Sequence, residues 1–157
     1  MKRSIETNQQ RKVSIIKPNE IKSLQDFNVL ILYQPTTAFK SIFDQNKVAQ
    51  INTFVITGTA TDFNFLNQVQ DDLNFKMSTS KEDYLATFES NFNLFAQSNI
   101  GFENFPPLEH SFGVITAKNN VNTLLSARVR NVPVQNPILT FTENGSKREA
   151  YLLGENI

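Results

Sequence analysis

The segment NTFVITGTATD, residues 52–62, decides the fold class that this sequence predicts. Residues 52–57 form a β-branched and apolar run of strand length, which ends at a turn containing Gly58. A helical pattern follows from about residue 61, with Phe63, Phe65 and Leu66 among its apolar positions. A buried strand that passes through a short turn into a helix is the building unit of parallel α/β sheets.

The same unit occurs once upstream. Residues 29–33 form a continuous apolar run, which is typical of a strand covered on both faces in a parallel sheet. Pro35 ends this strand, and a helix is predicted over residues 38–50. Further upstream, residues 2–11 predict an exposed helix and residues 13–16 a short buried strand. The first half therefore alternates strand and helix with short connections, which favours a parallel sheet.

The second half gives weaker signals. Over residues 71–112, Ser80 followed by Asp83 resembles a helix start. The aromatic residues nearby have near-helical spacing and are expected to pack on the core, in a helix or, as the alternative, in a looped segment held by these side chains: Tyr84, Phe88, Phe92 and Phe95. Strands are predicted at 124–129, 138–142 and 150–153, with a hairpin turn at residues 144–145.

The predicted fold class is thus α/β: a three-layer, mostly parallel sheet flanked by helices, with an antiparallel hairpin near the C-terminus. A single domain over residues 1–157 is expected from the length. The sequence starts with a helix and stops just past a strand. We therefore expect a fragment of a longer protein that lacks the first strand of its sheet.

Composition excludes several function classes. Fifteen basic residues balance 15 acidic ones, so no nucleic-acid partner is expected. Cysteine is absent, which removes thiolate metal sites and a cysteine nucleophile. No apolar run approaches the roughly 18 residues that span a bilayer, so this chain is not expected to insert directly into a membrane. Neither a G-x-G-x-x-G nor a G-K-[ST] motif occurs, and no cofactor is expected.

The only histidine, His110, lies between Glu109 and Ser111. These residues carry the atoms of a catalytic triad, but neighbours in sequence usually point apart, so we expect a surface or loop histidine and no catalytic residue. The alternative is a hydrolase that uses Thr59 or Ser111 with His110. One histidine without cysteine also disfavours zinc.

The predicted ligand-binding edge lies where strands give way to helices, because ligands bind at the carboxyl edge of parallel sheets. Two turns contribute to it, and they are expected to line one shallow groove. The candidate ligand-binding residues are Gln34, Thr36, Gly58, Thr59, Thr61 and Asp62. As structural alternatives, Thr59 and Thr61 are expected to cap a helix and Asp62 to compensate its N-terminal charge. A further alternative is a small-molecule or anion sensor at the Gly58 turn.

Many short stretches together resemble one family. They are residues 29–36, 54–67, 82–84, 92–95, 106–108, 112–113 and 153–157. The chain resembles the class I glutamine amidotransferase-like domain of large bacterial membrane-anchored proteins that also carry a von Willebrand factor A-like domain. The resemblance covers nearly the whole chain.

The resemblance implies a flavodoxin-like sheet and a nucleophile elbow, in which a cysteine lies between glycines after a strand. Here the matching elbow is formed by residues 58–61, and it holds neither a cysteine nor a second glycine. The resemblance therefore implies a degenerate, non-enzymatic binding or scaffold domain of a cell-envelope protein. It would be the periplasmic part of a membrane-anchored parent, with other domains of that parent or other envelope proteins as its partners.

Overall fold

The computed structural model describes residues 1–118 and 120–155, which form three short α-helices and seven β-strands in those ranges. The helices are α1 (Lys2–Ile5), α2 (Lys40–Ala49) and α3 (Phe63–Val69). The strands are β1 (Val29–Tyr33), β2 (Asn52–Thr57), β3 (Leu73–Phe88), β4 (Leu108–Ala117), β5 (Asn122–Val129), β6 (Val132–Asn144) and β7 (Lys147–Leu153). Single 3-10 turns lie at Pro18–Glu20, Thr37–Phe39 and Phe102–Asn104.

The strands form one mixed sheet in the order β1-β2-β7-β6-β5-β3-β4. Among the described strands, only β1–β2 and β2–β7 are parallel pairs. The other four ladders, β3–β4, β3–β5, β5–β6 and β6–β7, are antiparallel. The prediction of a mostly parallel sheet is therefore wrong, because the chain leaves the parallel pattern after α3 and continues in antiparallel strands.

The prediction of three layers with flanking helices is also wrong. Ile42 of α2 and Leu66 of α3 belong to the same core, together with Leu32 and Val55 of the sheet. Because both helices pack on one face of the sheet, no helical layer covers the other face in the described part of the chain. The helix predicted over residues 38–50 is present in this layer as Lys40–Ala49. Gln50 is its C-cap, and the Asn46 side chain ties the helix to the backbone of Ile51.

The long strand β3 replaces the helix predicted around Ser80 and Asp83. Tyr84 and Phe88 are four residues apart, and this spacing places them on one face of a strand as well as on one face of a helix. Phe92 and Phe95 follow in a loop, where both rings pack against Phe141 of β6. The expected aromatic packing is thus present: Phe92 and Phe95 lie in a looped segment, which was the alternative to a helix, whereas Tyr84 and Phe88 lie in a strand.

The strand β1 lies at the edge of the sheet and has one exposed face, so the prediction of burial on both faces is wrong. Leu30 and Leu32 point into the core, whereas Val29 and Tyr33 are 54% and 55% exposed. Residues 13–16, predicted as a buried strand, have no regular secondary structure, and Ile15 is 83% exposed.

The antiparallel hairpin near the C-terminus is confirmed. The strands β6 and β7 pair from Leu139 with Leu152 to Asn144 with Lys147, and Gly145 adopts a positive φ of 62° in the turn. Such a left-handed backbone favours glycine. Among the described residues, no helix is long and apolar enough to cross a membrane.

The side chain of Asn136 joins β4 to β6 where the two strands share no ladder. Its Oδ1 accepts the Ile115 N–H at 3.0 Å, and its Nδ2 donates to the Gly113 carbonyl at 2.8 Å. The side chain therefore takes the place of a neighbouring strand for two backbone groups of β4.

We predict that Asn136→Ala lowers the free energy of unfolding by about 2–3 kcal/mol, because it leaves buried backbone groups without partners. Urea denaturation of both proteins measures the difference. Asn74→Ala, an exposed amide in β3, is the matched control and should change the value by less than about 0.5 kcal/mol. Equal losses in the two variants would contradict the bridging role.

Candidate functional site

The two turns of the predicted ligand-binding edge lie side by side, because the parallel strands β1 and β2 end there. The Ala60 N–H donates to Gln34 Oε1 at 2.7 Å, and the Asp62 N–H donates to the Pro35 carbonyl at 3.0 Å. Gln34 has a positive φ of 47°, a conformation that costs a non-glycine residue about 1–2 kcal/mol. The two turns therefore form one hydrogen-bonded unit, and no open groove separates them.

The carboxylate of Glu155, just beyond β7, is the centre of this unit. Its Oε1 accepts the Thr59 N–H at 2.9 Å and the Thr59 hydroxyl at 3.0 Å. Its Oε2 accepts the Tyr33 hydroxyl at 2.7 Å and also the side-chain amide of Gln34. Gly58 permits this approach, since a Cβ there would lie 2.6 Å from the Glu155 carboxyl carbon. We call Tyr33, Gln34, Thr59 and Glu155 the carboxylate cluster.

The environment of Glu155 favours its charged form. Partial burial acts to raise the pKa of its carboxyl, but hydrogen bonds from Thr59 and Tyr33 and the charge of Lys81 hold that pKa below its usual value. The same contact raises the pKa of the Tyr33 hydroxyl, chiefly because that hydroxyl donates to Glu155. The cluster thus holds an ionised carboxylate at pH 7.

The other candidate residues have structural partners. The hydroxyl of Thr61 accepts the Gly58 N–H at 2.9 Å within the turn. The Thr36 carbonyl accepts the Phe39 N–H at 2.9 Å at the start of a 3-10 turn. Asp62, and neither Thr59 nor Thr61, is the N-cap of α3, since its Oδ1 accepts the Phe65 N–H at 2.9 Å. The predicted capping role of the two threonines is therefore wrong.

His110 lies in β4 and is completely buried, so the expectation of a surface or loop histidine is wrong. Its Nδ1 faces the Ser111 carbonyl at 3.0 Å. A carbonyl only accepts, so Nδ1 carries the proton and Nε2 accepts the Thr57 hydroxyl at 2.8 Å. The imidazole contacts neither Thr59 nor the Ser111 hydroxyl by a hydrogen bond among the described residues. Phe63 packs beside the ring at 5.2 Å.

Burial lowers the pKa of His110, although the Ser111 carbonyl and the charge of Glu155 act in the opposite direction. The buried imidazole is therefore neutral near pH 7. The hydroxyl of Thr57 is also completely buried. The pair has the atoms of a nucleophile and a base, but the described partner of Nδ1 is the Ser111 carbonyl and not a carboxylate, and both residues are sealed from solvent.

A shallow polar groove of about 330 Å³ lies next to the carboxylate cluster, between the Gly58 turn, α3 and the part of β3 where its register with β4 shifts, between Met77 and Lys81. The polar residues that line it are Thr59, Thr61, Asp62, Asn64, Ser78, Thr79, Lys81 and Ser111. Lys81 forms an ion pair with Glu109 at 2.8 Å. No group of three or more potential metal ligands occurs within the described residues.

Sequence reasoning missed Glu155 and Thr57 as members of this site. Tyr33 and Glu155 are 122 residues apart, and Thr57 and His110 are 53 apart. The only local signal was that Thr57 precedes the Gly58 turn. A comparison with protein-family models finds no match for this chain, and a search of curated proteins also finds none. The resemblance to amidotransferase-like domains thus stays a prediction.

We predict that stability depends on the neutral state of His110. The unfolded imidazole gains a proton below about pH 6.5, whereas the buried imidazole, with its lowered pKa, does not. The free energy of unfolding should therefore fall by up to about 1.4 kcal/mol per pH unit as the pH drops below 6.5. Urea titrations from pH 8 to pH 5 measure this slope, and His110→Gln should remove it. Parallel pH profiles of the two proteins would contradict the prediction.

We predict that Glu155→Gln lowers the free energy of unfolding at pH 7 by about 1–2 kcal/mol, because hydrogen bonds to a carboxylate are stronger than those to an amide. The lowered pKa of Glu155 means that its contribution exists above about pH 4.3 and disappears as the pH falls through the folded-state pKa. Denaturation at pH 7 and pH 3 tests both statements. Glu143→Gln, at an exposed ion pair with Arg148, is the control with little expected effect.

Proposed function

We propose that this chain is a non-catalytic binding or scaffold domain of a larger cell-envelope protein, and that it acts through the carboxyl edge of β1 and β2. The observation that carries the proposal is that the groups a hydrolase would need are used inside the fold. The imidazole of His110 is sealed from solvent, and Glu155 occupies both the N–H and the hydroxyl of Thr59.

This arrangement argues against the hydrolase alternative. A nucleophile needs a general base within hydrogen-bond reach and a path for the substrate. Among the described residues, the hydroxyls of Thr59 and Ser111 form no hydrogen bond with the imidazole, and Thr57, whose hydroxyl does, is 0% exposed. A buried hydroxyl–imidazole pair flanked by aromatic rings is better explained as a satisfied polar contact of the core.

The contact between Glu155 and Thr59 also argues against the anion-sensor alternative. The Thr59 N–H, which an anion would need, already binds an intramolecular carboxylate at 2.9 Å. The neighbouring polar groove remains open, and it offers hydroxyl and amide groups with one acidic residue, Asp62, and one basic residue, Lys81. A small, neutral ligand rich in hydroxyl or amide groups fits this lining best.

The place of the domain in a cell-envelope protein rests on the resemblance to amidotransferase-like domains. In that setting its partners are other domains of the same parent chain or other envelope proteins. Detection of the native protein in the envelope fraction of its cell, by an antibody against this domain, would support that placement. Recovery only from the cytosolic fraction would refute it.

We predict that polar, uncharged ligands bind the groove without being turned over. Melting temperatures across a panel of sugars and short peptide amides should reveal ligands that stabilise the protein. Asn64→Arg, at an exposed groove position, should remove those shifts, whereas Gln68→Arg, exposed on the same helix outside the groove, should keep them.

The same protein is tested for turnover on ester and amide substrates. Rates should equal background in the wild type, and Ser111→Ala or Thr59→Ala should change nothing. Turnover that disappears in His110→Gln, while the variant still unfolds cooperatively, would establish the enzyme and refute the proposal. If no ligand of the panel shifted the melting temperature, the groove would have no support as the binding site. That result would also count against the proposed function.

A further inference from the structure

A second cavity follows the free edge of β1 and reaches Tyr33 of the carboxylate cluster at the end of the strand. Its volume is about 580 Å³, and it is lined by residues of both faces of β1, including Val29 and Ile31 on one side and Leu30 on the other. Successive residues of a strand point to opposite faces, so a cavity that contacts both sets runs along the strand's edge. The opposite wall comes from the N-terminal segment, residues 13–18. We call this cavity the edge groove.

The backbone of β1 is unpaired on the side of this groove. The strand forms one ladder, with β2, and stands at the end of the sheet. Within residues 1–118 and 120–155, no backbone hydrogen bond joins β1 to the N-terminal segment. An open strand edge presents a row of N–H and C=O groups that can pair with another extended chain. Proteins usually blunt such an edge with charged residues or prolines, and Val29–Tyr33 contains neither.

The side chains beside this edge are apolar and exposed at alternate positions. Val29, Ile31 and Tyr33 are 54%, 37% and 55% exposed, and all three line the groove. The facing segment adds Ile15, which is 83% exposed. An added strand would satisfy the backbone of β1 and cover this face with its own alternate side chains. A rounded small molecule would cover the apolar groups but leave the backbone groups without partners.

The positive charge at the edge groove favours a particular kind of segment as its partner. Lys2 and Lys17 line it, and no acidic residue of the described chain does. Residues 1–28 carry six basic and three acidic side chains, whereas the whole chain is neutral. Two nearby carboxylates accept backbone N–H groups: Glu6 accepts from Val13 at 2.9 Å and lies 3.9 Å from the Lys2 ammonium, and Glu20 accepts from the Lys17 N–H at 3.3 Å. The positive rim complements a segment with acidic residues at its ends.

From the open backbone, the exposed apolar face and the basic rim, we propose that the edge groove is a peptide-docking site. It accepts an extended segment of a partner protein, apolar at alternate positions and flanked by acidic residues, which adds to the sheet as an eighth strand beside β1. Such strand addition takes its affinity from main-chain hydrogen bonds and its specificity from alternate side-chain pockets. The lining of the edge groove shares no residue with the lining of the polar groove.

The test uses a fluorescent eight-residue peptide of alternating valine and threonine with a glutamate at each end. Anisotropy titration should show saturable binding to the wild type. Val29→Lys and Ile31→Lys should each weaken it by about tenfold or more, since each removes apolar contact at the groove. Val132→Lys, at an exposed position of β6 outside the groove, is the matched control and should bind like the wild type. Cooperative thermal unfolding checks that each variant is folded.

Two further peptides separate the components of the proposal. N-methylation of alternate amides should abolish binding by removing backbone hydrogen bonds. Replacement of the glutamates by lysines should weaken binding to the wild type but not to Lys17→Glu.

Four results would overturn the proposal: no saturable binding, equal affinity for the methylated peptide, equal affinity in both β1 variants, or self-association of the chain that Ile31→Lys abolishes. The last would make a second copy the occupant. Because the peptide does not contact the polar groove, failure here leaves the proposed function standing.

Discussion

The parallel ladder between β2 and β7 is the constraint on which the rest of the structure depends. Residues 53–57 pair with residues 149–153, and β7 pairs on its other side with β6 in the antiparallel sense. This one strand therefore joins the strand–helix half of the chain to the antiparallel half. Because parallel strands end at the same edge, the ladder also brings Glu155, two residues beyond β7, to Thr59, two residues beyond β2.

Local features of the fold could be predicted from sequence, whereas its long-range pairing could not. The strands β1 and β2, the helices between and after them, and the turn at Gly145 all carry signals within a few residues. The neighbour of β2 comes from a segment about 96 residues later, and no local pattern specifies that choice. The strand β3 was missed because Tyr84 and Phe88 satisfy both periodicities, and because residues 78–83 are polar at every position.

The candidate functional site likewise has one part that sequence patterns could predict and one part that they could not. That the Gln34 and Gly58 turns meet follows from their positions after two adjacent parallel strands, which sequence patterns could predict. The Glu155 carboxylate lies between these two turns because β7 pairs with β2. No signal in the sequence near Glu155 indicated this contact. The burial of His110 likewise depends on β4 folding back across the sheet, which brings the imidazole to Thr57 at 2.8 Å. His110 and Thr59, whose side chains suggest catalysis when only the sequence is known, thus have hydrogen-bond partners that are distant in the sequence.

Tyr33 belongs to both the edge groove and the carboxylate cluster. Its ring lines the edge groove, and its hydroxyl donates to Glu155 at 2.7 Å. A strand that packs on the ring and fixes its orientation would hold that hydroxyl in place, whereas one that rotates the ring would break the contact. The carboxylate would then keep its bonds from Thr59 and Gln34 but lose that from Tyr33. The coupling free energy between the edge groove and the carboxylate cluster equals the difference in the added strand's binding free energy between these two states of Tyr33. This coupling acts equally in both directions.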